Sequence, residues 1–155
     1  MPVSTNLDHV TIVAEDFGAS RAVYDALLSC LGLTPTLDYS DPEGDEDDTG
    51  TVAAIGYAGA DGRLLLWLVA GTPGTATTGV HLALAVGEAA AVRAVHAAAH
   101  AAGIPVVQAP RDWEAEKLHY YGTQFSDPAG NLVEVLLRRP GGSRSDSKTS
   151  ASPES

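Results

Sequence analysis

The 155-residue sequence predicts an α+β fold built from two βαβββ modules, and three observations lead there. LDHVTIVAEDFGASRAVYDALLSCLG (7–32) aligns with GVHLALAVGEAAAVRAVHAAAHAAG (79–103), so that His9 falls on His81 and both copies read Arg-Ala-Val twelve residues later. Each copy opens with a short, partly β-branched apolar run and passes into a helical pattern that stops at a glycine. After each helix come three further strand-like runs.

In chain order, the first strand is expected over residues 7–14. The first helix follows from Tyr24, Leu27, Leu28 and Leu31, spaced i, i+3, i+4, i+7 on one helix face, and ends at Gly32, a residue able to take the left-handed C-terminal conformation. Cys30, among leucines, is expected to be a buried small apolar residue; as the chain's single cysteine it has no internal disulfide partner. Strands are expected near 35–39, 51–57 and 63–69, the last introduced by the turn ADGR (60–63). DYSDPEGDEDDTG (38–50) reads as a solvated acidic loop, since its carboxylates do not follow the spacing of a calcium loop. GTPGTATTG (71–79) reads as the linker between modules.

The second module repeats the pattern, with a strand at 80–86 and a helix ending at Gly103. His96 and His100 lie one turn apart on that helix, on what is expected to be a partly exposed face. Strands near 105–108, 121–126 and 131–138 follow, the last introduced by PAGN (128–131). The expected organisation is one domain over 1–139, with module one at 7–70 and module two at 79–138; PGGSRSDSKTSASPES, from Pro140, is expected to be a disordered tail.

Composition narrows the function classes. A 45% hydrophobic content suits a soluble globular domain. With 20 acidic against 9 basic residues the net charge is −11, which repels nucleic-acid phosphates and anionic membrane surfaces. MPVSTNLDHV has no basic stretch followed by an apolar one, and no run reaches the ~18 apolar residues of a membrane span, so a cytoplasmic location is expected. No nucleophile motif, phosphate loop or dinucleotide fingerprint is present.

Three polar residues stand out in apolar strand-like runs. His9 and His81 are repeat-related, and Glu134 sits in LVEVLLRR four residues beyond Gly130, where the first module has Leu66 four beyond Gly62. A carboxylate there carries a desolvation cost of several kcal/mol unless a cation or hydrogen bonds offset it. If the modules pack about a pseudo-twofold axis, equivalent positions converge on one cleft. Two imidazoles and a carboxylate would then form a divalent metal site with open positions, without distinguishing Fe, Mn, Ni, Zn or Mg. RDWEAEKLHYY (111–121) gathers Arg111, Trp113, His119, Tyr120 and Tyr121 just before an expected cleft strand, which suits a pocket wall.

LDHVTIV, GVHLALAV and SDPAGNLVEVL resemble the first strand, the fifth strand and the closing DP-x-GN-x-x-E motif of the vicinal oxygen chelate superfamily. That superfamily includes glyoxalase I, extradiol dioxygenases, fosfomycin-modifying enzymes and bleomycin-binding proteins. The resemblance spans residues 7–138 and implies two βαβββ modules forming a curved mixed sheet around a central cleft. By position it implies His9, His81 and Glu134 as three of the family's four metal ligands, with Leu66, or Trp67 one register on, at the fourth. Where extradiol dioxygenases carry a tyrosine before the DP pair this chain has Gln124, and His119 is too close to that pair to match their upstream histidine. The set as a whole is most similar to the glyoxalase-like branch of the superfamily.

Two functions follow as expectations. In the first, a divalent ion binds two oxygens of a small substrate and stabilises an oxyanion in lyase, isomerase or dioxygenase chemistry. Glu134, His119 or Tyr121 moves a proton, and Trp67, Leu66, Trp113, Arg111 and Gln124 contact the substrate. In the second, the protein binds a cationic small molecule or drug between aromatic walls without metal, as bleomycin-resistance proteins do; the acidic charge and Trp67 favour this. Open sheet edges lead to the expectation of a homodimer.

Overall fold

The structure is a computed structural model that describes residues 3–38, 53–115 and 118–140. The acidic stretch after Asp38 and the C-terminal tail after Pro140 lie outside the described residues. The first module runs β1 (Val10–Ala14), α1 (Phe17–Ser29), β2 (Thr34–Asp38), β3 (Ala54–Ala58) and β4 (Leu64–Ala70). The second repeats it as β5 (His81–Ala85), α2 (Ala89–Ala101), β6 (Val106–Ala115), β7 (Leu118–Ser126) and β8 (Leu132–Arg138). Each module forms its own four-stranded mixed sheet, ordered β1-β4-β3-β2 and β5-β8-β7-β6, in which the first strand pairs in parallel with the last and the other pairs are antiparallel. The expected α+β architecture of two βαβββ modules is therefore what the chain forms.

Local chemistry sets the boundaries. Asp16 caps α1 by accepting a hydrogen bond from the Ala19 amide at 2.9 Å. Both helices end where Gly32 (φ 71°) and Gly103 (φ 68°) turn left-handed. The helices pack against each other, and a single core crosses both modules: Tyr24, Leu27 and Leu28 of α1 join Val92 and Val95 of α2 and Phe125 of β7. Side chains alternate along the strands, so each sheet has one face on this core and one face turned away from it.

Several boundaries and placements differ from the sequence expectation, among them the start of β7 at Leu118 rather than near 121. β1 begins at Val10, so His9 lies just before the strand. β6 extends to Ala115, well past the expected 105–108. Pro110 and the charged run after it resemble a loop, but β6 is an edge strand, where a missing amide donor and outward charges are tolerated. Cys30 is exposed, not buried: at 100° per residue it lies about 200° around the helix from the core residue Leu28. Trp67, not Leu66, is the repeat counterpart of Glu134, because β4 carries an irregularity opposite Tyr57 and Ala58 that inserts one residue.

The closing turn joins the modules. The Asp127 carboxylate accepts from the Ala129 and Asn131 amides at 2.9 and 2.8 Å, and from the Tyr24 hydroxyl of α1 at 2.9 Å. Asn131 accepts from the Val80 amide and donates to the Thr77 carbonyl of the linker. Tyr24, Asp127 and Asn131 are all 5% exposed or less, so these bonds satisfy polar groups that would otherwise be costly to bury.

Candidate functional site

Strand parity places the candidate residues. Along β8, Val133 and Val135 face the core, and Glu134 faces the other way. β5 presents His81 beside it, since Ala83 pairs with Glu134 and His81 with Leu132. On the opposite side, β7 presents Gln124, which pairs directly with Glu134, and Tyr120 four residues earlier. β6 adds Arg111 and Trp113, opposite Gly122 and Tyr120. Four strands thus deliver these side chains to one face of the second sheet.

Glu134 is the centre of the group. Its residue exposure is 2%, and its Oε2 accepts from the Gln124 side-chain amide at 2.6 Å and lies 3.1 Å from His81 Nε2. These two contacts offset the desolvation of the carboxyl group. The His81 side chain is 53% exposed, so the pair reaches from a buried carboxyl to an accessible imidazole. Tyr120 lies against the same group: burial first, then the charge and hydrogen bonding of Glu134, raise its hydroxyl above the ordinary tyrosine range.

An aromatic wall continues from Tyr120. Its ring stacks on Trp113 with centroids 5.9 Å apart and planes 12° apart, and the Arg111 guanidinium sits 4.2 Å over the Trp113 ring. The Trp113 indole N–H is buried and makes no hydrogen bond among the described residues.

The other sequence-derived candidates lie elsewhere. His119 and Tyr121 have the opposite parity from Tyr120: Tyr121 packs on the core side, with the Arg139 guanidinium 5.6 Å from its ring. Leu66 is a core residue, 1% exposed. Trp67 is half-buried on the face of the first sheet turned away from the core, paired with Thr11 and Gly56. His9 is half-exposed before β1, its Nδ1 2.6 Å from the Asp8 carboxylate. His96 is half-buried and His100 exposed on α2. Tyr120 is among the RDWEAEKLHYY residues expected near the pocket, but the proton-moving role is expected of its neighbour Tyr121, which strand alternation turns to the core.

The donor chemistry fits a divalent ion in part. Two ligands about 2.1 Å from one ion at a right angle stand about 3 Å apart, the spacing of His81 Nε2 and Glu134 Oε2. A third donor is not grouped with them: among the described residues no three His, Cys, Asp or Glu side chains come together to hold an ion.

Comparison with known proteins gives the wider setting. The Glyoxalase/Bleomycin resistance protein/Dioxygenase superfamily pattern matches residues 6–135. No curated protein matches the sequence. A glyoxalase/bleomycin resistance protein from Albidiferax ferrireducens T118 is 24% identical, with 85% of this chain and 98% of that one covered at a TM-score of 0.65. Lactoylglutathione lyase from Agrobacterium tumefaciens is 19% identical, covering 86% and 94% at 0.56. A variant of the fosfomycin resistance protein FosX from Listeria monocytogenes, in complex with Mn(II) and 1S,2S-dihydroxypropylphosphonic acid, is 14% identical, covering 92% and 96% at 0.59. At these identities the likeness to the solved structures is one of fold.

Proposed function

Since the chain belongs to the glyoxalase/bleomycin resistance protein/dioxygenase superfamily, we propose that it is a metal-dependent enzyme acting on a small oxygen-bearing substrate at the His81–Glu134 face. One observation carries this reading: a carboxyl group 2% exposed, kept in an apolar strand and set 3.1 Å from an accessible imidazole. A core built only for stability gains little from such a pair, because an apolar residue of similar volume does as well.

In this reading His81 and Glu134 hold the ion and His9 is the third donor. His9 is reached by movement of the segment before β1 or is supplied by a second copy, in keeping with the proposed homodimer. When bound, a divalent ion supplies Lewis-acid stabilisation of a substrate oxyanion. The residues of the chain do the rest. Gln124 fixes the Glu134 carboxyl by its 2.6 Å hydrogen bond. Tyr120 stays protonated well above neutral pH and donates to a substrate oxygen. Trp113 and Tyr120 form an apolar wall, and Arg111 above it orients a negatively charged substrate group. Metal analysis of untagged protein purified without chelator tests the reading: a stoichiometric divalent ion supports it, and none bound after addition of Mn, Ni or Zn contradicts it.

A metal-free small-molecule binder is the second reading. It is favoured by the placement of Trp67 at the counterpart of Glu134 and by the dispersal of His9 from the pair. The aromatic wall would then hold the ligand, and the Glu134 carboxyl would complement its positive charge.

A further inference from the structure

A second cleft lies where the β1–α1 turn, the linker and the β7–β8 turn meet, and it shares no lining residue with the His81–Glu134 group. Its volume of ≈ 360 Å³ is in the range of small-molecule sites. Glu15 and Asp16 stand on one side. Each carboxylate is held by one oxygen: Glu15 Oε1 accepts from the Gly74 amide at 2.8 Å, and Asp16 Oδ1 from the Ala19 amide at 2.9 Å. The second oxygen of each has no hydrogen-bond partner among the described residues. The linker thereby pins the cleft on one side, and the helix cap on the other.

Ser20, one turn into α1, also lines the cleft. It is 2% exposed, and among the described residues its hydroxyl makes no hydrogen bond. Its oxygen is open to the cleft rather than sealed in the core, so the polar group of a ligand can take the place of the water that otherwise meets it. The facing wall, Ala76, Thr78, Pro128 and Ala129, is uncharged and mostly apolar. Two anionic oxygens reject an anion, and a bare metal ion lacks the three grouped ligands it needs. What remains complementary is a positive charge on a short organic body that also carries a hydrogen-bonding group.

We propose that this cleft binds a small organic ammonium compound, its charge between Glu15 and Asp16, its hydrogen-bonding group at Ser20 and its carbon chain against Ala76 and Pro128. The test is an amide chemical-shift titration of the full chain with ethanolammonium chloride, with ethylene glycol and sodium chloride as controls. The expected result is saturable shifts at Ser20, Ala76, Thr78 and Ala129 with ethanolammonium alone. The double variant E15Q/D16N keeps the oxygens that accept from Gly74 and Ala19, so the fold is retained, and binding weakens about tenfold or more. Ala129→Leu fills the cleft without touching its charge and abolishes binding. Non-saturating shifts, equal shifts with ethylene glycol, undiminished binding by E15Q/D16N or undiminished binding by Ala129→Leu would each overturn the proposal.

Discussion

Trp67 and Glu134 occupy the same position in the two modules. Thr11, two residues beyond His9, pairs with Trp67, and Ala83, two beyond His81, pairs with Glu134. The neighbours on the other side differ to match: Gln124 gives Glu134 a hydrogen-bond donor, and Gly56 leaves room for the Trp67 ring.

The steric half of that relationship is measurable. A Cβ at position 56 would lie 2.9 Å from Leu64 Cδ1 and 3.2 Å from Trp67 Cζ3. Gly56→Ala is expected to cost about 1–3 kcal/mol in urea unfolding, and most of that loss should vanish when it is made in a Trp67→Val background. Equal losses in both backgrounds would show that the ring is not what the glycine accommodates.

The polar half predicts coupling between Gln124 and Glu134. Gln124→Leu removes the 2.6 Å donor and leaves a buried carboxyl with His81 alone, at a cost of about 1–3 kcal/mol. Adding Glu134→Leu should recover stability, because the unmet acceptor goes with it. Strictly additive losses in thermal melts would rule out mutual stabilisation.

Much of this was legible in the sequence, for identifiable reasons. The Arg-Ala-Val repeat, the glycines ending both helices and the turns before β4 and β8 each have a local cause, so the two-module fold could be read directly. His81 and Glu134 were found because polar residues in apolar runs are anomalous wherever the strands run, and Gln124 through the family resemblance, from its place before the DP pair. Errors entered where one residue of register decides. The irregularity in β4 puts Trp67 five beyond Gly62, whereas Glu134 is four beyond Gly130, and nothing local in RLLLWLV announces the extra residue. Likewise Tyr120 and Tyr121 are adjacent and chemically alike, and only pairing with β8 decides which of them meets Glu134.

Tyr24 links the modules and titrates. Burial first, then Asp127, raises its hydroxyl above the ordinary tyrosine value of about 10, so the folded protein holds this proton where the unfolded chain releases it. The folded state therefore binds more protons above about pH 10, and stability contributed by Tyr24 is full below that value and falls as pH rises through it. Tyr24→Phe should cost about 1–2 kcal/mol at neutral pH and flatten the alkaline decline in urea-determined stability. An unchanged alkaline slope would show that Tyr24 does not carry it.

The most direct test of the metal centre is calorimetric titration of Mn, Ni and Zn into chelator-stripped, untagged wild-type protein and Glu134→Gln, with thermal melts of both proteins without metal. Glu134→Gln keeps the side-chain volume and removes the ligand charge. If His81 and Glu134 hold a divalent ion, the wild-type protein binds one ion per site and the variant loses about tenfold or more in affinity, as His9→Ala does in parallel. Absence of binding by the wild-type protein, or equal affinity in Glu134→Gln together with a melting temperature level with or above wild type, would contradict the metal centre and leave the metal-free binder.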